Sequence, residues 1–461
     1  MGRSIAAEDT APTVEGSVDN HSPERRVIHK LATKALVLVT LVLASACDRD
    51  RAIVQPSVSA ANSDVSPTDD ASLGAPNAVV VNPDANGHGI ARTIQDAIDR
   101  VASGGQVLVK PGTYAEAIVI TKGLTLRPIG YGEGAVVIEP PGAPNIAVQV
   151  ATPEPVVIQD VTLRFSGAQG IRGDGVLNVT VERVTASAVR PPSGQGRLIA
   201  FFNDALTSGG RARLRIADNV LDGGVSADDA MKASFPQMFG ISLQGDVNGV
   251  IERNTIRRTG AACIAITTRP DLGGETNLDV VGNDMDECYP LQRAGVFLVQ
   301  ALAGVQGTLS ATGVVNIIGN TIRNTFGSAL PVTAISQQFA PGRIERNRII
   351  GVIQPNAAGI PSRNPAAIWL GTLTPTLTLP SIAPIIRFND IQGNAQAGLR
   401  LGPNITSVID ATCNWWGHPT GPSGLGGGSG DAVLKETGAA TPILVPFAAA
   451  PIASIGATSC E

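Results

Sequence analysis

A short phrase that recurs seven times constrains this chain more than any other feature. It reads apolar, two residues, Asn, one residue, apolar, as in Ile251-Glu-Arg-Asn254-Thr-Ile256 and Ile344-Glu-Arg-Asn347-Arg-Ile349. Successive asparagines lie 35, 29, 37, 27, 42 and 25 residues apart. A short minimal spacing with longer outliers indicates a coil of nearly fixed length that carries variable loops. The repeated asparagines are Asn219, Asn254, Asn283, Asn320, Asn347, Asn389 and Asn414.

The residues around each asparagine predict β-structure. Each copy of the phrase is short, rich in Ile and Val, and bounded by Gly, Asn or Asp. An Asn-centred bend would turn both flanking apolar residues inward, because Asn tolerates left-handed backbone angles. In stacked coils the asparagines become vertical neighbours, and their amides bond up and down the stack. We therefore predict an all-β fold, a single-stranded parallel β-helix (a solenoid) of about nine to eleven coils.

Both ends of the repeat region carry further motifs. The segment Thr93-Ile-Gln-Asp-Ala-Ile98 precedes a strand and turn at 104–114, and Asn414-Trp-Trp-Gly417 closes the series. With these motifs the chain resembles the right-handed parallel β-helix family, often called pectin-lyase-like, and its bacterial surface proteins. The resemblance covers roughly residues 79 to 447 and says little about function.

The segment that opens the repeat region also has the pattern of a helix. Ile94, Ala97, Ile98 and Val101 fall on one helical face, and Thr93 suits the N-cap position. We expect this helix to cover the open end of the first coil.

The N-terminal region carries an export signal. Basic residues from Arg25 to Lys34 precede an apolar run over 35–44, which indicates a signal peptide and is too short to span a membrane. The run ends in Leu43-Ala-Ser-Ala-Cys47, which resembles a bacterial lipobox with Cys47 as the lipidated residue. Cleavage after Ala46 is the alternative. Lipidation would tether the protein to a membrane without spanning it.

Composition then suggests the domain boundaries. Residues 48–77 are rich in Ala, Ser, Asp and Pro, which is typical of a disordered spacer. We predict a signal-peptide region over 1–46, a disordered linker over 47–77, the β-helix over 78–447 and a C-terminal tail over 448–461.

The cysteine count suggests disulfides. Four cysteines remain in the exported part, and an even number in an oxidising compartment allows two bridges in any of three pairings. We favour Cys263 with Cys288, about one coil apart, and Cys413 with Cys460, which would pin the tail. No cysteine spacing resembles a zinc site, and we predict neither a metal nor a cofactor.

Charge and residue usage exclude some function classes. The net charge is −5 and no basic stripe exists, which argues against nucleic acid as a partner. His88 and His418 are the only histidines after the signal peptide, so little imidazole is present for acid–base chemistry. The family includes lyases, hydrolases and esterases of acidic polysaccharides, yet the paired aspartate motifs of such sites are missing here, and no catalytic residue can be named.

Charged residues follow the asparagines at a fixed offset. Two weaker copies of the phrase, centred on Val161 and Val184, precede the seven. From Val161 to Asn320, the residue three past each repeat position alternates in charge, and stacking would align these residues in one outer column. The column is either a groove for a uronate-type glycan, whose carboxylates suit Arg, or an exposed ion-pair ladder. Its alternating sign argues against calcium. The column runs Arg164, Ser187, Asp222, Arg257, Asp286 and Arg323, with Arg258, Asp284 and Glu287 beside it.

Three function classes follow from these patterns. The favoured class is a non-catalytic, lipid-anchored lipoprotein of the bacterial cell envelope, periplasmic or on the surface, whose elongated face binds glycan. An acidic polysaccharide is the candidate partner. The alternatives are a polysaccharide lyase or hydrolase acting at the Asp222–Arg323 face, and a structural or adhesive surface protein.

Overall fold

The computed structural model describes most of residues 75–452, together with Cys460. The undescribed gaps within that span are 86, 131–133, 190–194, 204–208, 227–236, 269–274, 289–295, 301–312, 327–332, 338–341, 354–365, 372–383, 395 and 404. The predicted signal peptide, Cys47 and residues 47–74 of the predicted linker lie outside the described residues. Pro76 and Asn77, also assigned to that linker, join the fold, because their carbonyls accept from Ala102 and Gln106 at 2.9 and 2.8 Å.

The described chain is almost entirely β-strand. In chain order its elements are β1 (Ala78–Val81), β2 (Ile90–Ala91), α1 (Ile94–Arg100), β3 (Gly105–Val109), β4 (Gly112–Tyr114), β5 (Ile118–Ile120), β6 (Leu124–Pro128), β7 (Val136–Ile138), β8 (Ile146–Val150), β9 (Pro155–Gln159), β10 (Val161–Phe165), β11 (Gln169–Asp174), β12 (Asn178–Glu182), β13 (Thr185–Ala188), β14 (Gln195–Asn203), β15 (Ala212–Ala217), β16 (Val220–Asp222), β17 (Gln237–Gly245), β18 (Val247–Glu252), β19 (Thr255–Thr259), β20 (Ile264–Thr268), β21 (Asn277–Val281), β22 (Asp284–Cys288), β23 (Val296–Gln300), β24 (Val315–Ile318), β25 (Thr321–Phe326), β26 (Thr333–Gln337), β27 (Arg343–Glu345), β28 (Arg348–Ile353), β29 (Ala366–Leu370), β30 (Ile385–Arg387), β31 (Asp390–Gln392), β32 (Leu399–Leu401), β33 (Pro422–Gly424) and β34 (Gly430–Lys435).

These strands form three long parallel sheets. From β3 to β32, consecutive strands go in turn to sheet A, sheet B and sheet C, so that β3, β4 and β5 make the first coil and β30, β31 and β32 the tenth described coil, and β33 and β34 extend sheet C. Each strand pairs with its counterpart one coil away, and crossovers between parallel strands are almost always right-handed. The predicted right-handed parallel β-helix is therefore confirmed, with a coil number inside the predicted range.

The ladder of asparagines holds the turn between sheets A and B. Asn254 Nδ2 donates to Asn283 Oδ1, one coil above, at 2.9 Å. It also donates to the carbonyl oxygen of Ile216, one coil below, at 2.9 Å. The same Asn283 oxygen accepts from the Asn254 backbone N–H at 2.9 Å. This pattern continues from Asn219 to Asn414, and all seven asparagines are buried to 1% exposure or less. Distant asparagines are thus vertical neighbours, as the shared phase predicts.

The bend itself lies one residue earlier than the sequence suggested. The left-handed backbone angle belongs to the residue before the asparagine, with φ of 58° at Asp218 and 52° at Arg253. The asparagine instead supplies the hydrogen bonds that satisfy buried backbone groups. The expectation that Asn adopts the strained angle was wrong in this detail. The chain tolerates non-glycine residues there because the stacked coils over-determine the turn.

The apolar residues on either side of each asparagine fill the interior. In sheet A the inward column stacks Ile251 on Val280 and Ile317 on Ile344, all fully buried. In sheet B, Ile322 is also fully buried. Each coil buries its apolar side chains only against the coils above and below it, so the stack has one continuous core.

Helix α1 closes the first end of the stack. Its buried residues Ile94, Ala97 and Ile98 join the main core, and Thr93 Oγ1 accepts from the Asp96 N–H at 3.1 Å as the predicted N-cap. A second cap comes from another coil, since the Glu116 carboxylate accepts from the first two helical N–H groups at 2.7 and 3.0 Å. No helix in the described part of the chain is long and apolar enough to cross a membrane.

The last coil is closed by the tryptophan segment. Trp416 points inward and is fully buried, whereas Trp415 lies on the other side and donates through Nε1 to Gln392 Oε1 at 3.3 Å. Both predicted disulfides are present, Cys263–Cys288 between neighbouring coils and Cys413–Cys460 at the end of the stack. Such bridges are typical of exported proteins.

Candidate functional site

The predicted charge column exists on the outer face of sheet B. Strand register pairs Asp222 with Arg257, Arg257 with Asp286, and Asp286 with Arg323. Two further register pairs, Ser187 with Asp222 and Arg164 with Ser187, extend the column toward the first coil. The sequence therefore placed all six residues on one line, although it could not say which of them are already paired within the protein.

The middle of the column is occupied by internal ion pairs around Asp222. Its carboxylate accepts from Arg258 through both oxygens and forms an ion pair with Arg257, whose Nε lies 3.3 Å away, and its side chain is only 9% exposed. Burial alone would raise the pKa of Asp222, but the bonds from Arg258 and the Gly224 N–H, with the charges of both arginines, hold that pKa below its usual value. Asp222 is thus an ionised, satisfied carboxylate that is not open to a ligand.

The upper end of the column is paired in the same way. Arg323 Nε donates to Asp286 Oδ2 at 3.0 Å, and both Nη atoms donate to Asp284. Asn324 Nδ2 binds the second oxygen of Asp286 at 2.8 Å. These bonds raise the pKa of Arg323, the contact with Asp284 most of all. Glu287 follows Asp286 with a left-handed backbone angle of 52°. From Asp222 to Arg323 the column therefore has the properties of a structural ion-pair ladder.

The lower end of the column is different. Arg164 is exposed and makes no hydrogen bond or ion pair with any described residue. The next residue up the column is the uncharged Ser187, and Glu139 lies one coil below, directly after the residue that pairs with Leu163. Arg164 and Glu139 both line a cleft of about 500 Å³. This volume lies within the usual range of small-ligand sites, roughly 300–1,000 Å³.

The walls of this cleft are chemically mixed. Pro140, Pro141 and Val189, which is 58% exposed, add apolar surface to the lining. The segment after the two prolines packs closely on the next coil at Gly167, where a Cβ atom would lie 1.7 Å from the Pro144 carbonyl oxygen.

Neutral polar groups complete the lining. Thr113 and Ser166 present hydroxyls beside Arg164 and Glu139, and Phe165 packs beneath them in the core. Among the described lining residues Glu139 is the only carboxyl group. Nowhere in the described ranges do three or more His, Cys, Asp or Glu side chains come together in a way that could hold a metal ion.

A second charged feature is not apparent from the offset that defines the column. It lies at the corner between sheets A and B, where Arg183 binds both oxygens of Asp160 at 2.7 and 2.9 Å. Two coils higher in the same line, Arg253 binds Asp218 at 2.8 and 2.9 Å, and this hydrogen bonding lowers the pKa of Asp218. The signal is present in the sequence, because each of these residues immediately precedes a repeat asparagine or the valine that takes its place.

Two buried carboxyls near the last coils behave in the opposite way. Burial raises the pKa of Asp390, which Arg348, 3.6 Å away, offsets only in part. Burial also raises the pKa of Asp431, despite hydrogen bonds from the Asn394 side chain and from the backbone N–H groups of Asn394 and Gly393. Both lie beside the tryptophan segment and far along the chain from the cleft.

Comparison with known proteins finds only remote similarities among solved structures. No family model and no curated protein matches the sequence. Among solved structures, the chain is similar to the native GH136 lacto-N-biosidase from Eubacterium ramulus, with 11% identity, a TM-score of 0.33, and coverage of 76% of this chain and 64% of that one. It is also similar to the A-module of a mannuronan C-5 epimerase from Azotobacter vinelandii, with 16% identity, a TM-score of 0.30, and coverage of 77% and 94%. At these values the matches do not indicate what this protein binds.

Proposed function

We propose that this protein is an exported cell-envelope lipoprotein whose β-helix binds an acidic glycan, without transforming it, in the cleft beside Arg164. Cys47 would carry the lipid anchor, with residues 48–74 as the spacer to the β-helix. The resemblance to pectin-lyase-like bacterial surface proteins fits this role. The observation that carries the proposal is the state of Arg164, which is exposed and faces a cleft, whereas the aspartates and arginines from Asp222 to Arg323 are paired with one another.

The lining suits an acidic sugar. A free guanidinium presents a planar fork of donors that matches a carboxylate. Glu139 accepts hydrogen bonds from sugar hydroxyls, and Thr113 and Ser166 both donate and accept. Val189 and the two prolines offer apolar surface to the ring. A glycan that lies along the stack would meet these groups coil by coil, because the column rises by one strand spacing, about 4.8 Å, per coil.

Binding without catalysis is the better reading of the chemistry. Glycoside hydrolysis usually needs two carboxyls on either side of the bond that breaks. Glu139 is the only carboxyl among the described residues that line the cleft. The carboxylates of the upper column are held by arginines, and this pairing leaves them poorly suited to proton transfer.

A glycan array with the exported domain tests the proposal. We expect retention of uronate-containing glycans and weak or no retention of the same glycans after their carboxyls are reduced to alcohols. Incubation with the retained glycans, followed by assays for unsaturated products and for new reducing ends, should show no change. Equal retention of reduced glycans would contradict the acidic ligand, and product formation would show that the protein is an enzyme.

A further inference from the structure

The corner between sheets A and B contains a line of residues that all have left-handed backbone angles. Each one precedes a repeat asparagine or its equivalent, so that the line rises through the stack with one residue per coil. In its lower half acids and arginines alternate and pair, as in Arg253 with Asp218. The line, here called the corner column, consists of Asp160, Arg183, Asp218, Arg253, Gly282, Gly319, Arg346, Phe388 and Cys413.

Arg346 breaks this pattern of pairing. Its neighbour one coil below is Gly319, and its neighbour above is Phe388, whose ring centroid lies 6.0 Å from the Arg346 guanidinium carbon. Neither neighbour is acidic. The Arg346 Nε atom is buried and has no hydrogen-bond partner among the described residues. A buried donor without an acceptor is costly. The residue as a whole is only half-buried, and no carboxylate among the described residues forms an ion pair with its guanidinium.

Two more arginines flank this position. Arg343 on sheet A and Arg348 on sheet B each have side chains that are 60% exposed. Their carboxylate contacts are long, 3.9 Å from Arg343 to Glu345 and 3.6 Å from Arg348 to Asp390. Both carboxylate residues are themselves buried, at 8% and 6% exposure. The guanidiniums of Arg343 and Arg348 therefore keep donors that face solvent on either side of Arg346.

We propose that Arg343, Arg346 and Arg348 form a binding site for a phosphate-type oxyanion. Three guanidiniums from one short segment can share a small ion that carries more than one negative charge and several acceptor oxygens. A single carboxylate supplies only two oxygens and one charge. This basic corner lies at a different edge of the stack from the cleft at Arg164 and six coils higher, so it does not depend on the glycan proposal.

Thermal melting with inorganic phosphate tests this site. We expect phosphate to raise the melting temperature of the wild-type protein above that in chloride of equal ionic strength, and acetate to do so much less. Arg346→Asn should lose most or all of the phosphate-induced rise in melting temperature. Asn is chosen because it tolerates the left-handed angle of 58° at this position. Arg343→Gln with Arg348→Gln should also reduce the shift.

The matched control is Arg253→Asn, at the equivalent place in the corner column with a φ of 52°. It should lower stability, because it breaks the pair with Asp218, and yet keep the full response to phosphate. The proposal is overturned if wild type shows neither a phosphate-specific melting shift nor the retention by phosphatidylglycerol vesicles described below. It is also overturned if Arg346→Asn responds like wild type. Equal losses in Arg346→Asn and Arg253→Asn would also overturn it.

A second measurement distinguishes a lipid headgroup from a soluble phosphate as the source of the oxyanion. Phosphatidylcholine vesicles with and without phosphatidylglycerol are sedimented with the wild-type protein and with Arg346→Asn. Retention by the phosphatidylglycerol vesicles alone, lost in the variant, identifies a lipid headgroup. A phosphate-induced melting shift without vesicle retention identifies a soluble phosphate or phosphate ester.

Discussion

Arg164 and Arg257 occupy the same outward column of sheet B, three coils apart, but of the two only Arg257 is ion-paired with a described carboxylate. Arg257 lies between Asp222 and Asp286, so its charge is balanced within the protein. Arg164 lies between Ser187 and Glu139, and it remains exposed and faces a cleft. Two identical side chains at equivalent positions thus differ in what is stacked above and below them. That difference separates the proposed binding site from the structural ladder.

The asparagine ladder should be a major source of stability. Asn283→Ala removes the acceptor for two Asn254 donors and the donor to Ile251 O, all in the buried interior. Leaving such groups unsatisfied costs about 1–3 kcal/mol each, so for these three groups we expect a loss of at least about 3 kcal/mol in urea unfolding. Asn316→Ala is the control, because its side-chain bond to Asp279 is exposed. Equal losses in both variants would contradict the role of the ladder.

The inward phase of sheet B can be tested with a charge. Ile322→Asp places a carboxylate without a partner at a fully buried position, and we expect a loss of more than about 4 kcal/mol or failure to fold. Asp286→Ala changes a residue on the outward face of the adjacent strand of sheet B. It should change the free energy of unfolding by about 1 kcal/mol or less. Circular dichroism melting compares the two. A cooperative, unshifted melt for Ile322→Asp would show that this side chain is not in the core.

As the pH falls, the contributions of two carboxyls near the C-terminal coils to the stability of the protein should change in opposite directions. Burial raises the pKa of Asp390 above its unfolded value, so its contribution is fully present below the unfolded pKa and is lost as pH rises through the folded pKa. Asp390→Asn should therefore gain stability relative to wild type as pH increases from about 3 to 7.

Asp410 provides the contrast for that pH series. Burial would raise the pKa of Asp410, but bonds from Arg387 and Thr412 lower it overall, so its contribution is present above the unfolded pKa and is lost as pH falls through the folded one. Asp410→Asn should lose stability relative to wild type as pH increases over the same range. Urea unfolding at several pH values measures both slopes, and slopes of the same sign would contradict these assignments.

The Cys263–Cys288 disulfide should stabilise the middle of the stack. It closes a segment with a sequence separation of 25 residues, for which loop-closure entropy predicts about 3 kcal/mol. We expect Cys263→Ala with Cys288→Ala to melt at a lower temperature than wild type under non-reducing conditions. With reductant present, wild type and double variant should become similar. An unchanged melting temperature in the double variant would show that packing between the coils, and not the bridge, holds this region.

The sequence predicts the phase of the coils because the period is written in the asparagines themselves. Each asparagine sits at a buried corner where its side chain both donates and accepts, so the phrase recurs from Asn219 onward in the described coils, whereas two earlier turns carry Val161 and Val184 at this position. Once that phase is known, Asp222, Arg257, Asp286 and Arg323 must share one outer line. Spacing alone was therefore enough to identify the column.

Pairing along that column could not be predicted in the same way. Asp222 is bound by Arg258, whose left-handed angle of 51° turns its side chain toward the coil below. Arg164 has no partner among the described residues, because Ser187 lies above it and no ion pair forms with Glu139. Trp369 shows the same limit, since it lies in an apolar phrase and yet packs outside the main core against Ala366 and Ala397. Such details depend on side-chain direction at corners and loops.

Calorimetric titration of one acidic oligosaccharide against two matched variants tests the central claim most directly. Arg164→Met and Arg257→Met each remove a guanidinium from the same column and keep an apolar stem. We expect Arg164→Met to weaken binding by at least about tenfold, the loss of one charge-assisted hydrogen bond or more, and Arg257→Met to bind like wild type. Loss of binding in Arg257→Met with wild-type affinity in Arg164→Met would contradict the account and place the ligand on the paired part of the column.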